Sequence, residues 1–128
     1  MEEGLRSVLE QEPRVRFALL FGSFATGRAH RESDVDVAVS LSEDLQPLEL
    51  GAIARRLEVA AGRPVQVVLV DEVGIPVAYR AFRDGVLLLC RDRQAFVERK
   101  ARAVLDYLDF RPVEEQYVQG ILERARGR

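Results

Sequence analysis

Phe21-Gly22-Ser23-Phe24-Ala25-Thr26-Gly27-Arg28-Ala29-His30-Arg31-Glu32-Ser33-Asp34-Val35-Asp36 is the stretch on which the reading of this chain turns. The apolar run that leads into it, Val15 to Phe21, reads as a strand buried on both faces. Gly22-Ser23 closes that strand, and a short helix is expected to begin there. Gly22 lets the backbone approach a ligand closely. Ser23 brings a hydroxyl beside the N–H groups of a helix start, which is a phosphate-binding arrangement. After a polar stretch, Asp34 to Ser40 reads as a second strand that opens with two carboxylates. Strand period two sends Asp34, Asp36 and Ala38 to one side and Val35, Val37 and Val39 to the other. Two like charges on one face call for a cation, and hard oxygen ligands with open positions suit Mg²⁺ bridging to substrate phosphates. Each half has a plain alternative, an ordinary turn for Gly-Ser and a solvated strand cap for Asp-x-Asp. Together they are the minimum equipment for metal-assisted phosphoryl or nucleotidyl transfer.

Outward from this stretch, helices and strands alternate. Leu5, Val8 and Leu9 mark a short helix that Pro13 ends. After Pro47 a helical pattern holds Leu48, Ile53, Leu57 and Ala61 until Gly62. Val65 to Val70 predicts a third strand and Val86 to Cys90 a fourth, with a short helix, Val77 to Arg83, between them. From Gln94 the stripe Phe96, Val97, Ala101, Val104, Leu105 and Leu108 predicts a helix packed on the core. Pro112 is expected to break it, with a last helix over Val113 to Ala125. The fold class is therefore α+β with α/β-type alternation, a small mixed β-sheet with flanking helices. Cys90 in its apolar strand is expected in the core.

The chain has 128 residues, 19 basic and 21 acidic, for a net charge of -2. That length predicts a single domain over 1–128, with C-terminal helices from about 94. The balanced charge argues against direct nucleic-acid binding, which would show a Lys/Arg excess. One cysteine excludes an internal disulfide and a Cys-built zinc site. No apolar run approaches the ~18 residues of a membrane span, and Met1-Glu2-Glu3-Gly4 does not open a signal peptide, so a cytoplasmic protein is expected.

Gly22-Ser23, ten residues, then Asp34-x-Asp36 resembles the signature of the nucleotidyltransferase superfamily that includes DNA polymerase β. The form Gly22-Ser23-x-x-x-Gly27-x5-Ser33-Asp34-x-Asp36 on so short a chain is similar to the minimal nucleotidyltransferases, antitoxins of HEPN-domain ribonuclease toxins. Asp84-Gly85-Val86-Leu87-Leu88-Leu89-Cys90-Arg91-Asp92 and Tyr107-Leu108-Asp109-Phe110 extend the likeness over most of residues 15 to 110. The resemblance implies a nucleotidyltransferase fold. It implies that Gly22, Ser23 and Ser33 hold a nucleotide triphosphate, and that Asp34 and Asp36 are catalytic and bind two Mg²⁺ ions. It implies that AMP passes from ATP to a tyrosine of the toxin.

One family feature is missing. The third carboxylate of the family, on the next core strand, falls at Gln66, which is neutral and cannot act as a base. Losing a general base costs about 10²–10⁴ in rate. Asp71 has the wrong strand parity, and Glu72 lies about 20 Å too far along, so neither replaces it. His30, Arg28 and Arg31 are loop residues that either meet phosphates or water, and Tyr107 to Phe110 serves packing or a partner surface. The sequence thus carries a protein adenylyltransferase reading beside two others. One is a catalytically impaired domain that neutralises its partner by contact. The other is a small-molecule nucleotidyltransferase, for which the chain is short.

Overall fold

The computed structural model describes residues 1–29 and 34–127. The elements are α1 (Glu2–Glu10), β1 (Val15–Phe21), α2 (Ser23–Thr26), β2 (Val35–Leu41), α3 (Pro47–Ala61), β3 (Val65–Leu69), α4 (Ile75–Asp84), β4 (Val86–Cys90) and α5 (Arg93–Arg126). The sheet order is β3-β2-β1-β4. β1 runs antiparallel to β2 and β4, and β2 runs parallel to β3 across α3. This is the mixed sheet with flanking helices that the alternation predicts.

Side-chain alternation divides the core between the two faces of the sheet. Val35, Val37 and Val39 join Ala18 and Leu20 on one face, where Leu5 and Leu9 of α1 and Ile53 and Leu57 of α3 cover them. Phe17, Leu19 and Ala38 point to the other, under α4 and α5. There the rings of Phe17, Phe82 and Phe96 meet at centroid distances of 5.2 to 5.9 Å, edge-on or tilted, as their quadrupoles favour. Val15 shares the face of Ala18 and Leu20 despite its odd number, because the β1–β2 register shifts between Val15 and Phe17. Cys90 packs, partly buried, against the second face.

Two arginines tie the first helix to the last strand. Arg6 Nε donates to the Leu88 carbonyl at 2.7 Å. The Arg91 guanidinium donates to the carbonyls of Glu10, Glu12 and Val15 at 2.5, 3.0 and 2.9 Å, which satisfies acceptors around the C-terminal end of α1. α3 starts with Pro47 in its first turn, and the Gln46 N–H donates to the Glu49 carboxylate at 3.1 Å.

The structure corrects three sequence expectations. Leu48 is 88% exposed rather than core. At about 100° per residue it lies half a turn from Leu57, so the buried face of α3 leaves it outside. The stripe on α5 mixes two phases of the helix. Phe96 and Ala103 face the sheet, whereas Val97, Leu105 and Leu108 lie on the far side and are exposed. Pro112 does not break α5, which runs on to Arg126 as one helix of 34 residues. The hydrogen bond that Pro112 omits belongs to the carbonyl of Leu108, which is 55% exposed and so lies on the solvent side. Among the described residues no helix is long and apolar enough to cross a membrane.

The helix phase yields a paired prediction. Leu57→Ala should destabilise the fold by about 3 kcal/mol through the cavity it leaves. Leu48→Ala should stay within about 0.5 kcal/mol of the parent. Urea unfolding followed by circular dichroism measures both, and equal losses would show that the α3 face is assigned wrongly.

Candidate active site

The site begins where β1 ends. Gly22 has φ 76° and ψ -151°, a conformation other residues rarely adopt, and it caps α2. The N–H groups of Ala25 and Thr26 donate to the Gly22 carbonyl at 3.2 and 3.3 Å, and Arg28 N–H donates to Ser23 at 2.9 Å. Gly27, left-handed at φ 75°, ends the turn. Ser23 therefore stands at the first helical position, where backbone N–H groups have no intrahelical acceptor.

β2 brings the carboxylates to this turn. Asp36 pairs with Phe21 across the antiparallel ladder and with Gln66 across the parallel one. Its carboxylate lies against Gly22: a Cβ built on that glycine would stand 2.4 Å from Asp36 Oδ2. Only a glycine brings the turn and the carboxylate this close together. Burial first, and then the charge of Asp34, push the Asp36 carboxyl above the ordinary Asp range. Asp34 is exposed just ahead of β2.

Phe21, Gly22, Ser23, Thr26, Arg28 and Asp36 line a cavity of about 420 Å³, which Arg80, Arg83 and Asp84 of α4 close on the other side. Arg83 holds Asp84 in a bidentate pair at 2.7 and 3.0 Å. That hydrogen bonding, with the charges of Arg83, Arg28 and Arg80, keeps the Asp84 carboxyl below its usual range. Asp84 is thus an ionised partner of arginines and unsuited to take a proton. Beside it, Arg83 lies over the Tyr79 ring at 5.4 Å, and Tyr79 stacks on Tyr107 of α5 at 4.0 Å.

Of the sequence-derived site residues, Gly22, Ser23 and Asp36 share the cavity, Arg28 joins them, and Asp34 stands beside it on the chain. Ser33, His30 and Arg31 lie outside the described residues. Gln66 sits level with Asp36 on the neighbouring strand, exposed, which is the register expected of the missing third carboxylate. Asp71 offers no substitute. It lies beyond the opposite end of β3 and pairs with Arg99 at 2.8 Å and Arg16 at 3.7 Å. Sequence reasoning missed Arg80, Arg83 and Asp84 as site residues. Their signal was Arg-x-x-Arg-Asp at the end of a helix that enters the strand beside β1.

Among the described residues no cluster of three or more Asp, Glu, His or Cys gathers to hold a metal. The donor set is Asp34 and Asp36, with the neutral Gln66 carbonyl alongside. Two carboxylates with no ion-pair partner among the described residues fit a divalent cation that completes its shell with water and substrate phosphates.

Several known proteins are similar to this chain. A protein adenylyltransferase MntA of Shewanella oneidensis strain MR-1 is 34% identical over 56 residues, a match spanning 44% of this chain and 40% of that protein. The chain therefore matches less than half the length of that curated relative. A crystal structure of a toxin–antitoxin with AMP-PNP superposes with a TM-score of 0.81 at 20% identity, over 94% of this chain and 98% of that one. The complex of a tri-AMPylated Shewanella oneidensis HEPN toxin with MNT antitoxin superposes with a TM-score of 0.74 at 16% identity, over 95% and 99% of the two chains. At such identities these likenesses establish the fold. The family described as Polymerase beta, Nucleotidyltransferase matches residues 3–94, from α1 into the start of α5. That span includes the whole sheet, the glycine turn and both carboxylates, and the chain belongs to the polymerase β nucleotidyltransferase family.

Proposed function

We propose that this chain is an antitoxin-type nucleotidyltransferase that uses Mg²⁺ to move AMP from ATP to a tyrosine of a HEPN-domain toxin. The observation that carries this reading is the contact of Gly22 with Asp36, which joins an anion-binding turn and a carboxylate pair in one cavity. The described toxin–antitoxin folds, one with AMP-PNP and one with an AMPylated toxin, support the choice of nucleotide and acceptor.

The division of labour follows from the lining. The α2 turn with Ser23 receives the triphosphate through backbone N–H groups. Arg28, Arg80 and Arg83 face it and offset the charge that grows on the leaving pyrophosphate. Asp34 and Asp36 would hold Mg²⁺, which when bound would neutralise phosphate charge. The phenolic oxygen attacks the α-phosphorus, an O–P bond forms, the bond to the β-phosphate's bridging oxygen breaks, and pyrophosphate leaves. The phenol proton goes to water, because Gln66 cannot accept it and Asp84 is held by Arg83. Gln66 also supports a second reading, in which the fold neutralises its partner by contact and transfer is slow or absent. Protection against the toxin by an Asp34→Asn/Asp36→Asn double variant would favour that reading.

Three outcomes are expected with ATP labelled at the α-phosphate and the HEPN protein as acceptor. Asp36→Asn should abolish transfer, and an equal label on the acceptor would sink the adenylyltransferase reading. Gly22→Ala should leave a folded protein but displace the Asp36 carboxylate, lowering the rate on the order of 10²-fold. Gln66→Asp should raise the rate by about 10²-fold by restoring a base beside Asp36. An unchanged rate would mean that proton removal does not limit transfer.

A further inference from the structure

Tyr107 belongs to Tyr107-Leu108-Asp109-Phe110, a stretch of α5 to which the catalytic reading gives no role. It follows Phe96 and Ala103 along the side of α5 that enters the core, one helical turn beyond Ala103. Its ring lies flat on that of Tyr79 in α4, with centroids 4.0 Å apart and planes 4° from parallel. Tyr79 stands one turn ahead of Arg83 on α4, and the Arg83 guanidinium lies over the Tyr79 ring, 5.4 Å from its centroid. Arg83 in turn holds Asp84 at 2.7 and 3.0 Å and lines the cavity that contains Gly22, Ser23 and Asp36. A continuous set of contacts therefore joins α5 to the wall of the site. The family match ends at residue 94, so Tyr107 reaches this wall from outside the matched span.

Arg83 needs this support. Its side chain is half-exposed, and an ion pair in water fixes a long side chain only weakly. An arginine has many rotamers, and holding it in one of them costs entropy. The π face of Tyr79 adds an attraction that depends on where the guanidinium lies. Tyr79 supplies that face at a constant place only while its own ring is held, and Tyr107 holds it. The attachment of α5 to the body does not depend on this stack. Phe96 meets the rings of Phe17 and Phe82, Ala103 is buried, and Arg99 pairs with Asp71 and donates to the Val70 carbonyl. Removing the Tyr107 ring therefore leaves the helix docked and takes away the support under Arg83.

We infer that Tyr107 is a positioning residue of the nucleotide site: stacked on Tyr79, it fixes the ring on which Arg83 rests and so sets where that guanidinium meets the triphosphate. Tyr107 does not itself line the cavity and acts through Arg83. This rests on the reading of the cavity as the nucleotide site of a transferase. It gives the helix beyond the catalytic sheet a part in holding the nucleotide.

The test measures binding of AMP-PNP with Mg²⁺ to the purified full chain by calorimetry. Tyr107→Ala should weaken binding about tenfold, the worth of one well-placed charged contact. Tyr107→Phe keeps the stacked ring and should stay within about twofold of the parent. Arg83→Ala should weaken binding at least as much as Tyr107→Ala. The double variant Tyr107→Ala/Arg83→Ala should bind no more weakly than Arg83→Ala, because the effect of Tyr107 passes through the guanidinium. Leu108→Ala, an exposed neighbour on the same helix, should bind as the parent does. Circular dichroism checks that each variant folds; where Tyr107→Ala melts early, Tyr107→Leu keeps apolar bulk without a flat ring and takes its place. Losses that multiply in the double variant, or a Tyr107→Phe as weak as Tyr107→Ala, overturn the inference. A Tyr107→Ala that binds AMP-PNP as tightly as the parent overturns it too and leaves the transferase reading standing. The expected binding pattern in a chain that never labels the HEPN protein removes the transferase reading and leaves the positioning role standing. A parent that does not bind AMP-PNP overturns both.

Discussion

The backbone at Gly22 and the carboxylate of Asp36 occupy space that no other pair of residues at these positions shares as easily. The left-handed φ of 76° turns the chain out of β1, and the missing Cβ leaves room for Asp36 Oδ2, which a methyl there would meet at 2.4 Å. Antiparallel pairing of Phe21 with Asp36 sets this approach, and that pairing depends on the burial of β1 and β2 between the two layers of helices. The sheet thus exists first as a packing solution and second as a ruler. It holds the anion-binding turn and the carboxylate pair at one end, within a single cavity.

The opposite end of the sheet is built from ion pairs. Arg99 and Arg16 share Asp71 there, and Arg99 also donates to the Val70 carbonyl at 2.9 Å. The contrast is one of compensation. At that end positive and negative groups satisfy one another, whereas among the described residues no ion pair holds Asp34 or Asp36, and burial together with the Asp34 charge shifts the Asp36 carboxyl upward. Arg28, Arg80 and Arg83 line the same cavity as Asp36, and their charges act on Asp84.

Strand reading worked well in this chain because β1 and β2 are short, mostly buried apolar runs whose ends are marked by Gly22 and by Asp34-Val35-Asp36. The position of Gln66 beside Asp36 was legible for the same reason, since parallel register follows from strand parity. Helix faces were less legible. Leu48 on α3 and Val97, Leu105 and Leu108 on α5 are apolar and near the right spacing, but they lie out of phase with the residues that touch the sheet. Apolar identity alone does not say which of two helical phases is buried when both carry leucines and valines. Pro112 was read as a stop because a proline costs a helix one hydrogen bond, a cost that is small where the orphaned carbonyl is wet. Arg80 and Arg83 were invisible as site residues because the contact that matters comes from β4 lying next to β1, a fact of sheet order rather than of local sequence.

That sheet order also bears on how the molecule comes together. β4 pairs with β1, Leu20 opposite Val86, across most of the chain, and Arg91 then ties the junction to the end of α1. Closing so long a loop is slow relative to the local β1–α2–β2 turn. During synthesis the glycine turn and both carboxylates leave the ribosome well before α4 and β4 do. A nascent or truncated chain ending ahead of α4 would carry the full signature but only half a cavity. The arginine wall on α4 and the strand β4 that completes the sheet both lie C-terminal to the whole signature.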